Sequence, residues 1–137
     1  MIEFTPTKWA TADDKAKFLK RLITFVKADF DKKKFTKAMY RQLSNMFGHI
    51  AHYDREGFYS AQFSTDRRRL AWMDYVAGIA VYGDPAWTWS DVEREFQSWL
   101  HSDYGEAVKQ RISERLSVAI EYREHAEYER LKAKFGD

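Results

Sequence analysis

The densest grouping of chemically capable side chains is Gly48-His49-Ile50-Ala51-His52-Tyr53-Asp54. On a helix, residues three apart lie about 60° apart around the axis, near enough for two imidazoles to share a metal ion. Asp54 would be the third ligand, and Tyr53 and Tyr59 add hydroxyls nearby. The chemistry implied is that of a metal-dependent enzyme built on His49, His52 and Asp54. No glutamate follows His49 as in the zinc-protease helix motif. The plainer reading ranks first: two hydrogen-bonded or exposed histidines that fix the turn after them.

Other catalytic constellations are missing from the sequence. There are serines but no Gly-x-Ser-x-Gly elbow, and the six glycines never fall at a phosphate-loop spacing. With no cysteine there is no thiol nucleophile, disulfide or thiolate metal site. Carboxylate pairs such as Asp13/Asp14 and Glu93/Glu95 sit where a helix cap or a solvated face accounts for them. Catalysis is disfavoured, and no cofactor is expected.

Binding chemistry is better represented. Lys32, Lys33, Lys34 and Lys37 form one basic cluster, and Arg67, Arg68 and Arg69 form another. Interleaved with Phe30, Phe35, Phe63 and Trp72, they give the mix of charge and stacking rings that binds single-stranded nucleic acid. A solvated face above core rings accounts for the same residues and ranks ahead. The arginines are also a local misfit, since they open a helix whose N-terminal dipole favours negative charge. The Trp87-Thr88-Trp89 segment raises a different question. Two tryptophans flanking one residue, just ahead of a helix cap, do not easily enter the same core. One suits a hydrophobic staple, and the other is a candidate anchor for a partner.

The elements that must position these residues follow a helical period. Thr11-Ala12-Asp13-Asp14 matches a capping box and opens a first helix with Phe18, Leu22, Phe25 or Val26, and Phe30 on one face. Lys15, Lys17, Lys20 and Lys27 mostly fall elsewhere around it. After the charged connector Asp31–Lys34, a second helix runs from about Thr36 to Tyr53, striped by Met39, Leu43, Met46, Phe47 and Ile50. His49 lies at the edge of that stripe and His52 opposite it. Asp54–Gly57 reads as its end, with Gly57 suited to a left-handed cap. Phe58–Phe63 is irregular or one more turn of helix.

A third helix, from Ser64 to about Tyr82, carries Leu70, Met73, Val76, Ala77 and Ala80, and Gly83-Asp84-Pro85 stops it. Ser90 to Glu93 is a second capping-box match, ahead of a short helix with Val92, Phe96, Trp99 and Leu100. Ser102–Gly105 is a turn. The last helix runs from Glu106 to about Lys134, roughly 40 Å. Val108, Ile112, Leu116, Ala119 and Ile120 give its first half a core face. Its second half is mostly charge, with Tyr122, Tyr128, Leu131 and Phe135 interspersed. An apolar minority on a charged helix suits a partner surface or a homodimer seam. The expected fold is all-α: a single helical-bundle-like domain over 1–137, with about five helices and a long C-terminal one.

Composition narrows the setting. Aromatic residues reach 17%, which means a bulky core, interface anchors, or both. The 23 basic and 21 acidic side chains nearly cancel to +2, against a protein dedicated to coating a duplex. The longest apolar run, Tyr75 to Tyr82, is far short of the ~20 residues of a membrane span. The first residues lack the basic start and apolar stretch of a signal peptide. A soluble, cytoplasmic protein without membrane association is expected, and the lack of cysteine suits a reducing compartment.

Asn45-Met46-Phe47-Gly48-His49-Ile50-Ala51-His52-Tyr53-Asp54-Arg55-Glu56-Gly57-Phe58-Tyr59 resembles small proteins of plasmids and phages. Some compact proteins of such elements are anti-CRISPR inhibitors, which bind and disable a host's RNA-guided defence complex. The resemblance covers about 15 residues and carries no catalytic or binding assignment. It implies a mobile-element setting, a host defence complex as protein partner, and a non-catalytic inhibitor. The acidic series Glu121, Glu124, Glu127 is short and interrupted by Arg123, so wholesale mimicry of DNA is not expected.

Overall fold

The computed structural model describes residues 3–47 and 54–135. Among these residues six α-helices follow one another: α1 (Ala12–Lys27), α2 (Lys37–Phe47), α3 (Arg55–Phe63), α4 (Asp66–Gly78), α5 (Ser90–His101) and α6 (Asp103–Phe135). A single 3-10 turn, Lys32–Lys34, lies between α1 and α2. No strand occurs among the described residues. The chain is all-helical, and the helices pack around one apolar cluster.

The capping box at Thr11 forms: its hydroxyl accepts from the Asp14 N–H at 3.0 Å, and the Asp14 carboxylate accepts from the Thr11 N–H at 2.9 Å. Phe18, Leu22, Phe25 and Val26 are buried, as the period requires. Lys15 departs from the expected pattern. It lies three residues before Phe18, on the same face, and is fully buried. Its ammonium donates to the Pro85 carbonyl at 2.9 Å, the Thr88 carbonyl at 3.0 Å and the Asp91 carboxylate at 3.0 Å. Three donors meet three acceptor groups, which offsets the loss of hydration.

At the end of α1 the Asp29 N–H donates to the Val26 carbonyl and the Phe30 N–H to the Phe25 carbonyl. This is a Schellman closure, made here without glycine. Asp29 (φ 57°) and Phe30 (φ 58°) both take the left-handed conformation that an L side chain disfavours. Packing holds them there. The Phe30 ring is fully buried, stacks on Phe63 with centroids 5.1 Å apart, and its carbonyl accepts from the Tyr59 hydroxyl at 2.5 Å. Phe63 is the hub, with Phe25, Phe30, Phe35, Phe58, Tyr59 and Trp72 all within 5.0–5.8 Å of its centroid. Much of the aromatic surplus is therefore core.

Several boundaries differ from the expected ones, each for a local reason. The stretch Phe58–Phe63 is helical, the second half of α3. Asp54 starts that helix rather than ending the one before it, accepting from the Gly57 N–H at 2.6 Å. Gly57 accordingly lies inside α3 and not at a left-handed cap. The expected continuation of α2 to Tyr53 lies outside the described residues. α4 stops at Gly78, before the expected Tyr82, and Ala80 is exposed beyond it. The Gln97 amide of α5 donates to the carbonyls of Val76 (2.9 Å) and Ile79 (2.7 Å), and His101 Nε2 lies 3.1 Å from the Ala77 carbonyl. Side chains of another helix thus satisfy the carbonyls a helix end leaves open.

The arginines at the start of α4 serve the end of α3. Arg68 donates to the Ser60 carbonyl at 2.6 Å and Arg69 to the Phe63 carbonyl at 2.7 Å. Positive charge sits beside the C-terminus of the preceding helix, where the dipole favours it. The second capping box does not form. Ser90 is buried as the first residue of α5, its hydroxyl donating to the Gly83 carbonyl at 3.0 Å, and Trp89 holds the cap position without a side-chain bond.

α6 begins at Asp103, so the expected turn at Ser102–Gly105 is largely its first turn. A Cβ on Gly105 would lie 2.4 Å from the Trp99 carbonyl oxygen and 2.6 Å from Leu100 Cα, so α5 and α6 approach backbone to backbone. Val108 and Ile112 are buried, Leu116 and Ile120 half-buried, and Ala119, expected in the core face, is exposed. Arg111 and Arg115 tie α6 to Asp29 (3.0 and 3.1 Å), and Arg115 also reaches Asp66 at 2.9 Å. The Arg115 guanidinium holds the Asp66 carboxyl below its ordinary range. Residues 121–134 are exposed throughout. No described helix is long and apolar enough to cross a membrane.

Candidate functional site

The early end of α4 leaves residues 79–89 as an ordered loop. Gly83, at φ 108°, supplies a conformation that side chains rarely adopt. The Asp84 carbonyl then accepts from the N–H groups of Trp87 and Thr88, both at 2.9 Å. The buried Lys15 ammonium holds the same loop through Pro85 and Thr88. The two tryptophans differ in exposure on this fixed backbone. Trp89 turns inward, edge-on to Phe18 with centroids 5.5 Å apart. Trp87 turns outward and is 67% exposed.

Two further rings join Trp87. The N-terminal segment is pinned by buried Phe4 and by the Thr5 N–H, which donates to Asp91 at 3.0 Å. The Thr7 hydroxyl accepts from the N–H groups of Trp9 and Ala10 at 3.1 and 3.0 Å, a turn that presents Trp9 at 76% exposure. Tyr82, on the loop, is 83% exposed. Trp9, Tyr82, Trp87 and Trp89 line one open cleft of about 470 Å³, with Met46 and Gln42 from α2 and Glu93 from α5.

Glu93 is the only carboxylate among these lining residues. Burial pushes its carboxyl up to about 7, against the opposing pull of Arg94. Among the described residues its carboxylate takes no hydrogen bond or ion pair. Sequence reasoning missed Trp9 and Tyr82 and read Glu93 as a cap. One signal was available: Trp9 belongs to no helical stripe, so no core face claims it.

The remaining candidates scatter. Lys32, Lys33, Lys34 and Lys37 are exposed, and the Lys32 ammonium lies 5.9 Å from the Tyr59 ring centroid. Lys20, Arg21, Arg41 and Arg55 join them around three shallow depressions, one of which shares Arg55 with the second and Thr36 with the third. Arg67, Arg68 and Arg69 line none of these, and Arg68 and Arg69 are engaged with α3 as described. His49 and His52 lie outside the described residues. Asp54 serves as the α3 cap, and among the described residues no three His, Asp or Glu side chains cluster as metal ligands do.

On α6, Tyr122, Tyr128 and Leu131 are all exposed. At 100° per residue, Tyr128 and Leu131 lie about 60° apart while Tyr122 falls on the side opposite Leu131. They do not form the single stripe that a helical seam uses. Arg130 pairs with Glu127, and His125 lies 3.9 Å from Glu129, so part of the charge is matched within the helix.

No family model matches this chain, and neither a curated protein nor a solved structure matches it.

Proposed function

We propose that this chain is a non-catalytic interaction protein that docks a partner protein through the tryptophan-rimmed cleft. The observation that carries the reading is three large exposed rings, Trp9, Tyr82 and Trp87, around one concavity whose backbone is fixed by hydrogen bonds. Tryptophan and tyrosine dominate binding hot spots because they bring large contact area with few rotatable bonds. A ring presented on a rigid loop loses little further entropy on docking. The resemblance over Asn45–Tyr59 supplies the partner class: a component of a host RNA-guided defence complex, inhibited on behalf of a mobile element.

The test is a phage challenge of cells carrying a panel of RNA-guided defence systems. Wild-type protein should restore plaque formation against at least one system. Trp87→Ala should reduce that effect at least tenfold, in line with roughly 2 kcal/mol lost from an anchor, at unchanged melting temperature. No effect of the wild-type chain on any system would remove the inhibitor reading. A fully active Trp87→Ala chain would remove the cleft from it.

A second reading rests on the basic end. Lys20, Arg21, Lys32, Lys33, Lys34, Lys37, Arg41 and Arg55 come from three helices and a turn to one region, with Tyr59 beside them. That arrangement suits single-stranded nucleic acid as a second partner. Binding should weaken steeply with salt, and Lys32→Ala with Lys33→Ala should reduce the salt slope by about 2. Absence of binding at low salt would end this reading.

A further inference from the structure

We infer that the cleft between Trp9, Tyr82, Trp87 and Trp89 receives an alkylated ammonium group, such as a trimethylated lysine, carried by the partner. The inference rests on the reading of the cleft as a docking site and names the chemistry of what enters it.

Three observations converge. First, four indole or phenol rings line one concavity, and aromatic faces attract cations. The chain already uses this attraction on two of them. The Lys8 ammonium lies 5.8 Å from the Trp9 centroid and the Lys15 ammonium 5.9 Å from that of Trp89. Second, Glu93 brings a partly buried carboxylate that makes no ion pair among the described residues, although Arg94 acts on it electrostatically, whereas the neighbouring Lys15 charge is matched by Asp91. A desolvated carboxylate without a partner favours an entering positive charge. Third, the supply of free acceptors is small. The Thr7 hydroxyl already accepts two N–H groups, and the Thr88 hydroxyl is engaged with Asp84 and Ser90. The other side chains of the lining that can accept are Gln42, Tyr82 and Glu93 itself. A bare ammonium is strongly hydrated and brings three protons that each need an acceptor. A quaternary ammonium brings none, and asks only for ring faces and a diffuse negative charge.

The experiment titrates the full chain at constant ionic strength and follows tryptophan fluorescence. The probes are choline, its neutral carbon isostere 3,3-dimethylbutan-1-ol, and a short peptide carrying either trimethyllysine or lysine. Choline should give a saturable change at least tenfold tighter than the isostere. The trimethyllysine peptide should bind at least tenfold tighter than the lysine peptide. Glu93→Gln should weaken choline binding at least fivefold while leaving the weak binding of the isostere unchanged. Equal binding of choline and isostere would show an apolar cleft without cation selection and overturn the inference. Equal binding of the two peptides, or no binding of any probe, would overturn it as well. The docking reading fails separately. Choline binding with a fully active Trp87→Ala chain defeats that reading alone. An inactive Trp87→Ala chain whose wild-type parent ignores choline defeats only the chemistry proposed here.

Discussion

Lys15 and Glu93 show two opposite treatments of a charge taken out of water. The Lys15 ammonium has a full set of acceptors, whereas the Glu93 carboxyl has none among the described residues and is pushed up to about 7. The folded protein therefore keeps a proton on Glu93 that the unfolded chain releases above its ordinary value of 4.5. The stability linked to that proton is fully present below about 4.5 and is lost as pH rises through about 7. Glu93→Gln, neutral at every pH, should melt with the wild type near pH 4.5 and above it at pH 8. Parallel melting curves across that range would show that Glu93 ionises normally. The burial of Lys15 was not legible: it was expected away from the core face, although it lies three residues before Phe18. Nor were its partners, since Pro85, Thr88 and Asp91 lie 70–76 positions away and no periodicity links them.

Every helix but α3 was legible from the 3.6-residue period, whereas helix ends were set mostly by groups from other elements. Thr11 is the exception, because a capping box is closed by neighbours in sequence. α4 ends where Gln97 and His101 reach its carbonyls, and the arginines that begin it belong electrostatically to α3. Neither could be inferred from Ser64–Tyr82 alone. Gly105 is the sharpest instance. It looks like a turn glycine, but it is required because α6 crosses the α5 backbone there. Alanine is the better helix former by about 1 kcal/mol, yet its methyl would meet backbone that cannot rotate away. Gly105→Ala should destabilise the protein by roughly 1–3 kcal/mol in denaturant unfolding. Equal or greater stability would mean that α5 and α6 have room to separate.

For the molecule as a whole, the all-helical class and the long last helix were legible, and the cleft was not. Its rings come from the N-terminal segment and from the loop after α4, with Met46 and Glu93 from helices between and beyond them. Only Trp87 and Trp89 stood out, as a crowded pair of which one was expected to be exposed. The distal half of α6 is exposed throughout, whereas Arg111 and Arg115 anchor the proximal half. Truncation after Tyr122 should leave the melting temperature nearly unchanged, within the ~0.5 kcal/mol typical of surface changes. It should also leave fluorescence of the cleft tryptophans as in the full chain. A truncated chain that unfolds would show that the distal half contributes to the core.

The buried Lys15 also fixes an order of events at the ribosome. The ammonium and its carboxylate are 76 residues apart, and synthesis proceeds at about 5–20 residues per second. For roughly 4–15 s the nascent first helix carries a cation on the face that later becomes interior. It cannot bury that face without stranding the charge. Docking of that face thus waits for Asp91 to be made, so α1 settles no earlier than the start of α5.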